Sequence, residues 1–458
     1  MRTLFVYMLL IGMLLFSCKH DTSKCPKCPE CAKFHADAHV VKTPKTTKTS
    51  TFLALSDVHI DRELRQTCFE TEGMSDKSVT SDTLWKRTKF KIESVAKSEN
   101  PKFMVYLGDL PGYKNSERRN NSHLMLQNLR KLKVNVPILY LPGNNDSLEG
   151  DYYSFSNDSL NTVLKEDADA GNPWPIINSK STTVQVKNLD DSKKQFGYYS
   201  VDLVDGKNTL KVIALNTVIF CAKGKHQYVA KDGVSQQKAT QEQMTWLEAK
   251  LTSLGMNDRV LIMMHIPIGK DGYNGKQMWQ NDLEFIDKSG NKHTLYNGFL
   301  DLIAAHKTNI VGLLNGHTHT DGLRRLYASD SKSMMTSFSV STPGIAVNHG
   351  NNPSFKIFTY NTNTFDLLDF KTYYASPTVK KKYKYSTDSK NTDFKFLDGS
   401  SYTFRDSYYV HNPNQTIFNT LEKQPYDSLV KYVNSTLGAK SNRHSKLKHP
   451  DAVNVYKE

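Results

Sequence analysis

Five short apolar runs in this sequence each end in residues that bind metal ions in proteins. Runs of this length, followed by glycine or a polar side chain, are typical of buried strands that end in a loop. In α/β sheets, ligands bind beyond the carboxyl ends of the strands. Because the pattern occurs five times, it predicts a metal site where those strands end. The runs are 52–55, ending at Asp57 and His59; 103–107, ending at Asp109; 138–141, ending at Asn144; 260–264, ending at His265; and 310–314, ending at His317 and His319.

The last of these loops, Asn315-Gly316-His317-Thr318-His319, places two histidines two residues apart. Neutral imidazole nitrogens are good ligands for zinc, iron, manganese and nickel. Gly316 lets the backbone come close to whatever lies beside it. A histidine pair on a loop is, by itself, structural more often than ligating. The four other strand ends make a metal site the better interpretation here.

The order of the predicted elements favours a layered α/β core. A sixth strand is predicted over residues 210–215, and helices alternate with the strands. Two of these helices have apolar faces at helical spacing, formed by Leu84, Thr88, Ile92 and Val95 and by Met244, Leu247, Leu251 and Leu254. Later, residues 355–360 and 365–370 flank Asn361-Thr362-Asn363-Thr364, which predicts a hairpin. After Tyr374 the sequence is rich in lysine and asparagine, and a helix is predicted over 428–437.

Residues 1–18 have the layout of an export signal. Arg2 precedes an almost unbroken apolar run that is too short for a comfortable transmembrane span. Leu15-Phe16-Ser17-Cys18 resembles a bacterial lipobox, which implies a lipidated Cys18 and a membrane-anchored protein in the periplasm or at the cell surface. The alternative is an ordinary cleaved signal and a secreted protein. Both interpretations place the mature chain outside the cytoplasm.

Residues 19–50 have the composition of a polar tether. Cys25, Cys28 and Cys31 lack a fourth ligand at zinc-finger spacing, so disulfides in an oxidising compartment are the favoured interpretation. The formal net charge of +14 suits anionic membranes or polyanionic substrates, although a solvated basic surface is the favoured interpretation. No nucleic-acid-binding module is recognisable, so no specific nucleic acid partner is expected. The sequence leaves the oligomeric state open.

The order Asp-x-His, Gly-Asp, Gly-Asn, lone His and Gly-His-x-His resembles the calcineurin-like metallophosphoesterase family. Four further motifs are similar to its acid-sphingomyelinase-like branch: Gly108-Asp109-Leu110-Pro111, Leu215-Asn216-Thr217, His265-Ile266-Pro267 and Asn351-Asn352-Pro353. The resemblance implies a layered β-sandwich flanked by helices over residues 51–375. It also implies a small, mostly helical C-terminal appendage over 376–458.

The resemblance further implies two divalent metal ions and a phosphoester substrate. One ion would be held by Asp57, His59, Asp109 and His319, and the other by Asp109, Asn144, His265 and His317. The branch implies zinc, while mixed nitrogen and oxygen ligands also suit iron or manganese. The expected function is exported phosphodiester hydrolysis. The alternatives are a nucleotide, phosphomonoester or polyphosphate hydrolase, or a catalytically weak metal-binding surface protein.

Two positions depart from the pattern of the family. Asn145 follows Asn144 where the family has a histidine that helps to protonate the leaving group, and Tyr113 replaces a second histidine of the branch. Asparagine can donate hydrogen bonds but cannot act as a general acid. Gly-Asn-Asn-Asp is similar to the motif of vacuolar endopolyphosphatases, so Asn145 does not by itself predict an inactive protein. Tyr113 and His349 are the candidate substitutes, and a surface role for His349 is equally consistent with the sequence.

Overall fold

The computed structural model describes residues 47–67, 78–155, 162–172, 174–179, 183–222, 234–328, 334–379 and 392–457. The predicted export signal with Cys18, and the predicted tether as far as residue 46, lie outside the described residues. Within these ranges, no helix has both the length and the apolarity needed to cross a membrane.

In the described residues, helices separate single strands or groups of successive strands. The strands are β1 (Thr49–Leu55), β2 (Ile60–Asp61), β3 (Thr80–Ser81), β4 (Met104–Tyr106), β5 (Ile138–Tyr140), β6 (Ile176–Ile177), β7 (Gln185–Asp190), β8 (Tyr199–Asp205), β9 (Asn208–Leu215), β10 (Arg259–Met264), β11 (Glu284–Ile286), β12 (Lys292–Thr294), β13 (Ile310–Asn315), β14 (Gly322–Tyr327), β15 (Met335–Ser341), β16 (Ser354–Asn361), β17 (Leu367–Tyr374), β18 (Ser376–Val379), β19 (Thr392–Lys395), β20 (Ser401–Thr403) and β21 (Asn454–Val455). The helices are α1 (Asp82–Glu99), α2 (Arg118–Arg130), α3 (Leu164–Asp169), α4 (Gln236–Thr252), α5 (Leu295–Ala305), α6 (Phe404–Ser407), α7 (Ile417–Lys423) and α8 (Tyr426–Thr436).

Two large sheets form the framework. One has the strand order β20-β17-β16-β1-β4-β5-β6, and the other has the order β21-β14-β15-β13-β10-β9-β8-β7. In the first sheet β1, β4 and β5 run parallel, and in the second β9, β10 and β13 run parallel. All six predicted strands are present among these, which confirms the α/β prediction. Each parallel set has its carboxyl ends at one edge, where the predicted ligands lie.

The two sheets pack face to face with helices outside them. Because successive side chains of a strand point to opposite faces, Phe52 and Ala54 of β1 enter the apolar cluster shared by both sheets. Leu53 and Leu55 instead pack in the cluster that contains the buried faces of α1 and α2. The side chains of β10 alternate in the same way between the shared cluster and a cluster that contains residues of α4 and α5. The predicted layered β-sandwich flanked by helices is therefore confirmed.

The C-terminal elements extend this framework. Strands β20 and β21 each add an edge strand to one of the large sheets, and α7 and α8 contribute apolar side chains to the shared cluster. The predicted helix over 428–437 corresponds to α8. The predicted hairpin is β16–β17, but β17 begins at Leu367, because Phe365 has a φ of +57° and cannot continue a strand. The domain boundary at residue 375 stays a prediction.

Candidate metal centre

The seven predicted ligands lie together where the parallel strands of both sheets end. Six of them are buried, and His317 is half-buried at the opening. The first sheet supplies four ligands, from the loops after β1, β4 and β5, and the second sheet supplies three, from the loops after β10 and β13. Ligand atoms of Asp57, His59 and His319 lie within 4.8 Å of one another, as do those of Asp57, Asp109 and His265.

Each of three buried histidines has one ring nitrogen at a backbone carbonyl. The Nδ1 atoms of His59, His265 and His319 lie 3.1, 2.6 and 3.3 Å from the carbonyl oxygens of residues 111, 107 and 346. A carbonyl oxygen only accepts hydrogen bonds, so each neutral ring carries its proton on Nδ1. The lone pairs of the three Nε2 atoms therefore face the centre, as they must in a metal site.

These lone pairs are poorly satisfied within the described site, because the Tyr113 hydroxyl lies 3.5 Å from His59 Nε2, at the long limit of a hydrogen bond. His59 Nε2 lies 3.2 Å from His319 Nε2, and two lone pairs cannot share a hydrogen bond. Asp57 Oδ1 is 3.4 Å from the same His319 nitrogen, and Asp109 Oδ2 is 3.3 Å from His59 Nε2. Such a set of buried acceptors fits a cation placed between them. The first predicted ligand group thus fits a metal ion.

The second predicted group converges in the same way. Asn144 Oδ1 lies 2.8 Å from both His265 Nε2 and His317 Nδ1, and Asp109 Oδ2 lies 3.4 Å from His265 Nε2. Asp57 is more distant, at 3.9 Å from that nitrogen. Although Asp57 belongs to both three-residue groups, these distances favour Asp109 as the carboxylate shared by the two positions.

The backbone around the centre is held in unusual conformations. Left-handed φ angles are rare for residues other than glycine, and they cluster at functional sites. At Gly316, a Cβ atom would collide with the Ser56 hydroxyl, so the loop that carries two of the histidines requires glycine there. Residues of the centre with positive φ are Asp57, His59, Asp109, His317 and His319, and Tyr152 beside them also has a φ of +59°.

Comparison with known proteins agrees with this geometry. The model of the family described as calcineurin-like phosphoesterase matches residues 50–321, which is more than half of the chain. The chain belongs to the calcineurin-like phosphoesterase family. Members of this family are metal-dependent hydrolases, so the predicted family is confirmed, and so is the predicted enzyme class at the level of the family.

Similar curated proteins of this phosphoesterase family include sphingomyelinase-like relatives. The chain is 26% identical to the acid sphingomyelinase-like phosphodiesterase 3b of Homo sapiens over 47% of this chain and 43% of the relative. It is 24% identical to the sphingomyelinase phosphodiesterase D of Dictyostelium discoideum, over 61% and 57%. It is also 24% identical to the cyclic GMP-AMP phosphodiesterase SMPDL3A of Mus musculus, over 60% and 57%. The chain spans about half the length of these relatives.

The charges of this phosphoesterase centre are strongly coupled. Burial alone would lower the pKa of His265, but the carboxylates of Asp109 and Asp57 raise it to about 9. Burial opposes ionisation of Asp109, yet His265 and His59 hold its pKa well below the usual range. The carboxylates thus draw positive charge into the centre. A ligating imidazole must be neutral, so a bound cation would take the place of that proton.

The three residues predicted to assist proton transfer all lie beside the centre. The ring of Tyr113 is 4.7 Å from that of His59, and its hydroxyl accepts a hydrogen bond of 2.6 Å from Asn348. The ring of the exposed His349 is 4.6 Å from that of His319. Asn145 contacts a predicted ligand through a hydrogen bond: its amide nitrogen donates to Asp109 Oδ2 at 3.1 Å.

Three charged residues surround the two asparagines, and only Asp146, the last residue of Gly-Asn-Asn-Asp, lies in a motif. Buried Arg118 donates to the backbone carbonyl of Asn145 at 2.6 Å. Asp151 accepts a hydrogen bond of 2.5 Å from Asn144 Nδ2. Asp146 accepts backbone hydrogen bonds from the loops after β4 and β5. Arg118 begins a helix and Asp151 lies in an irregular loop, so neither falls at a spacing that a motif would mark.

Proposed function

We propose that this chain is an exported, dinuclear-metal phosphodiesterase. The observation that carries the proposal is the convergence of two carboxylates, four imidazoles and one amide on adjacent points, where imidazole nitrogens face one another and the amide oxygen. Phosphodiesterase is also the activity in the printed names of the similar relatives. This support is independent of the geometry.

The ligand assignment follows the distances in the centre. Asp57, His59 and His319 would hold one ion, while Asn144, His265 and His317 would hold the other, and Asp109 would be shared. Zinc is the first choice, with iron or manganese as alternatives, since these ions accept mixed imidazole and oxygen ligands. Two such ions, when bound, supply charge stabilisation to the phosphoryl oxygens and lower the pKa of an attacking water.

Two residues of the chain itself are placed to supply the proton for the leaving group. Asn145 cannot do so, because an amide is not a general acid and one of its N–H groups is directed to Asp109. His349 and Tyr113 both lie at the opening of the centre and carry transferable protons. We therefore propose His349 and Tyr113 as the proton donors, and Asn145 as a residue that holds the shared carboxylate.

Hydrolysis of bis(p-nitrophenyl) phosphate, with and without added metal, tests the proposed activity. We expect metal-dependent turnover, since p-nitrophenolate leaves with little protonation. Protein that holds two metal ions and does not hydrolyse this diester would instead be a catalytically weak metal-binding protein.

A series of aryl and alkyl diesters tests the proposed proton donors. With a working donor, the rate falls only gently as the pKa of the leaving group rises. His349→Ala or Tyr113→Phe should make that fall steeper. A gentle dependence in both variants would show that neither residue donates the proton.

A basic segment beside the opening favours a second candidate, hydrolysis of polyanionic substrates such as nucleotides or polyphosphate. Residues 440–449 carry four exposed lysine and arginine side chains and no acidic residue. The segment is fastened near the centre, because Ser441 donates to the Gly350 carbonyl at 2.5 Å and His444 donates to the His349 carbonyl at 2.7 Å. Positive charge at this position would attract additional phosphates of a substrate.

A lysine variant with a matched control separates the two candidates. If the substrate is polyanionic, Lys446→Gln with Lys448→Gln should lower kcat/KM for ATP or tripolyphosphate and leave that for bis(p-nitrophenyl) phosphate unchanged. Lys207→Gln, before the amino end of β9 and thus at the opposite edge of the sheet, is the control. Equal rates for all three proteins on every substrate would remove the second candidate.

Export and anchoring through Cys18 complete the proposal. Mass spectrometry of the mature N-terminus should find a diacylated or triacylated cysteine, because stable anchoring requires more than one acyl chain. An unmodified terminus at another residue would indicate a secreted protein.

A further inference from the structure

We infer that Asp151 is a positioning residue that prepares Asn144, and with it one of the two metal positions, for binding. The inference rests on the proposed dinuclear centre and goes beyond it, since Asp151 is not itself a ligand. Tyr152, the next residue, acts on His317 of the same position. The loop that contains both residues would thus serve one metal position and not the other.

The first observation is the orientation of the Asn144 amide. Its nitrogen donates to Asp151 Oδ1 at 2.5 Å, and a carboxylate has acceptors but no donor. The amide oxygen must therefore point the other way, where it lies 2.8 Å from His265 Nε2 and from His317 Nδ1. Without Asp151 the amide could turn over and present N–H groups, which cannot bind a metal ion.

The second observation concerns His317. The Tyr152 hydroxyl lies 3.3 Å from His317 Nε2, which leaves Nδ1 to face Asn144. The backbone N–H of Tyr152 also donates to the Asn144 carbonyl at 2.8 Å. Tyr152 has a φ of +59°, a strained conformation that persists only where the surroundings impose it. The loop is thus fastened to two ligands of the same position.

The side-chain amide of Asn145 shows that a neighbouring charged residue determines how an amide is oriented here. Arg118 lies 3.3 Å from Asn145 Oδ1, and a guanidinium only donates hydrogen bonds. The Asn145 oxygen must therefore face Arg118, which directs its nitrogen to Asp109. Asn144 and Asn145 are adjacent in sequence and are oriented in opposite senses, one by an anion and one by a cation.

Metal titration in competition with a chelator tests the role of Asp151. Loss of an outer hydrogen-bond partner typically costs about 10–100-fold in metal affinity. We expect Asp151→Ala to raise one of the two zinc dissociation constants by that factor and to leave the other near its wild-type value. Asp151→Asn keeps an oxygen acceptor and should restore most of the affinity. Tyr152→Phe should weaken the same position by a smaller factor.

Asp167→Ala is the matched control. Asp167 is a buried aspartate that accepts a hydrogen bond of 2.9 Å from Arg130, away from the ligands. This variant also loses a hydrogen-bonded carboxylate, and it should bind both ions as the wild type does. If Asp151→Ala also binds both ions with wild-type affinity, the inference is wrong while the dinuclear centre stands. If the wild type binds no second ion, the dinuclear centre fails, and the inference fails with it.

Discussion

Two clusters of buried charge lie two residues apart in the sequence and are neutralised in different ways. One is the metal centre, which ends at His319. The other is formed by Asp321 and Lys356 of β16, both fully or almost fully buried. The Lys356 ammonium donates to Asp321 Oδ2 and to the Thr372 hydroxyl, each at 2.7 Å. The Tyr402 hydroxyl donates to the same carboxylate at 2.8 Å.

In the second cluster the buried charges are paired with each other, whereas in the first cluster the carboxylates have no lysine or arginine partner among the described residues. Lys356 and Asp321 have opposite charges and hydrogen-bond partners, and the ammonium also lies 3.8 Å from the centre of the Phe370 ring, which attracts a cation. The metal centre contains two carboxylates without any lysine or arginine in contact with its ligand atoms among the described residues. The comparison teaches that the charges of a closed cluster pair within the fold, whereas an open cluster leaves carboxylates and imidazole nitrogens available to a cation.

The largest expected effect concerns the shared carboxylate of the open cluster. Asp109→Asn should lose metal and activity together, with a loss greater than the about 10–100-fold typical of outer partners. Metal analysis and turnover of bis(p-nitrophenyl) phosphate measure both. The matching substitution in the closed cluster, Asp321→Asn, should keep both metal ions. Full activity in Asp109→Asn would contradict the assignment of the shared ligand.

The next effect concerns the closed cluster. Lys356→Met leaves the Asp321 carboxylate buried without its cation, so we expect a loss of about 3–5 kcal/mol in the free energy of unfolding. Denaturant titration measures it. The double variant Lys356→Met with Asp321→Asn removes both charges and should recover part of the loss. A double variant that is less stable than the single one would show that the two charges do not compensate each other.

Removal of metal should distinguish the clusters by stability. At a metal concentration of 100 times the dissociation constant, binding stabilises the folded state by about 2.7 kcal/mol per site. A chelator should therefore lower the melting temperature of the wild type and of Lys356→Met alike. Asp109→Asn should respond much less, because it holds less metal. An equal decrease in melting temperature in all three proteins would show that the chelator acts on another part of the chain.

The difference between the clusters also explains what the sequence could predict. The seven predicted ligands follow apolar runs and fall into motifs, so the residues that converge could be named in advance. Lys356 is a single polar residue in an apolar strand, and its partner Asp321 is 35 positions earlier. The contact between Asp151 and Asn144 could not be predicted either, because it depends on the path of a loop. Periodicity identifies elements, and it does not identify pairs that only the packed fold brings together.

The pH dependence of stability gives a smaller effect at the closed cluster. Burial lowers the pKa of Lys356 from 10.5 to about 8, against the opposing effect of Asp321. Between pH 8 and 10 the unfolded chain therefore binds more protons than the folded one, and stability from this group rises with pH. The wild type should gain about 2 kcal/mol relative to Lys356→Met over that range, since one pKa unit is 1.36 kcal/mol. Parallel stability curves for the two proteins would contradict this.

The smallest effect concerns a protonatable group added at the edge of the open cluster. Asn145→His restores the histidine of the family and should raise the rate on diesters with alkoxide leaving groups by up to about tenfold. General acid–base catalysis often contributes about 10²–10⁴-fold, but Arg118 beside residue 145 disfavours a protonated imidazole. Diesters of p-nitrophenol serve as the control and should change little. An equal gain on both kinds of diester would indicate an effect other than protonation.

The pairing of β1 with β16 has a consequence for the time at which the protein can become functional. Thr49 pairs with Asn361 and Ala54 with Lys356, so the strand that leads to Asp57 meets its neighbour about 300 residues later in synthesis. At about 5–20 residues per second, a ribosome needs roughly 15–60 s to make that stretch. The other ligand-bearing segments are made during this interval, and the last of them, at His319, still precedes β16. The first sheet therefore stays incomplete until β16 has been synthesised.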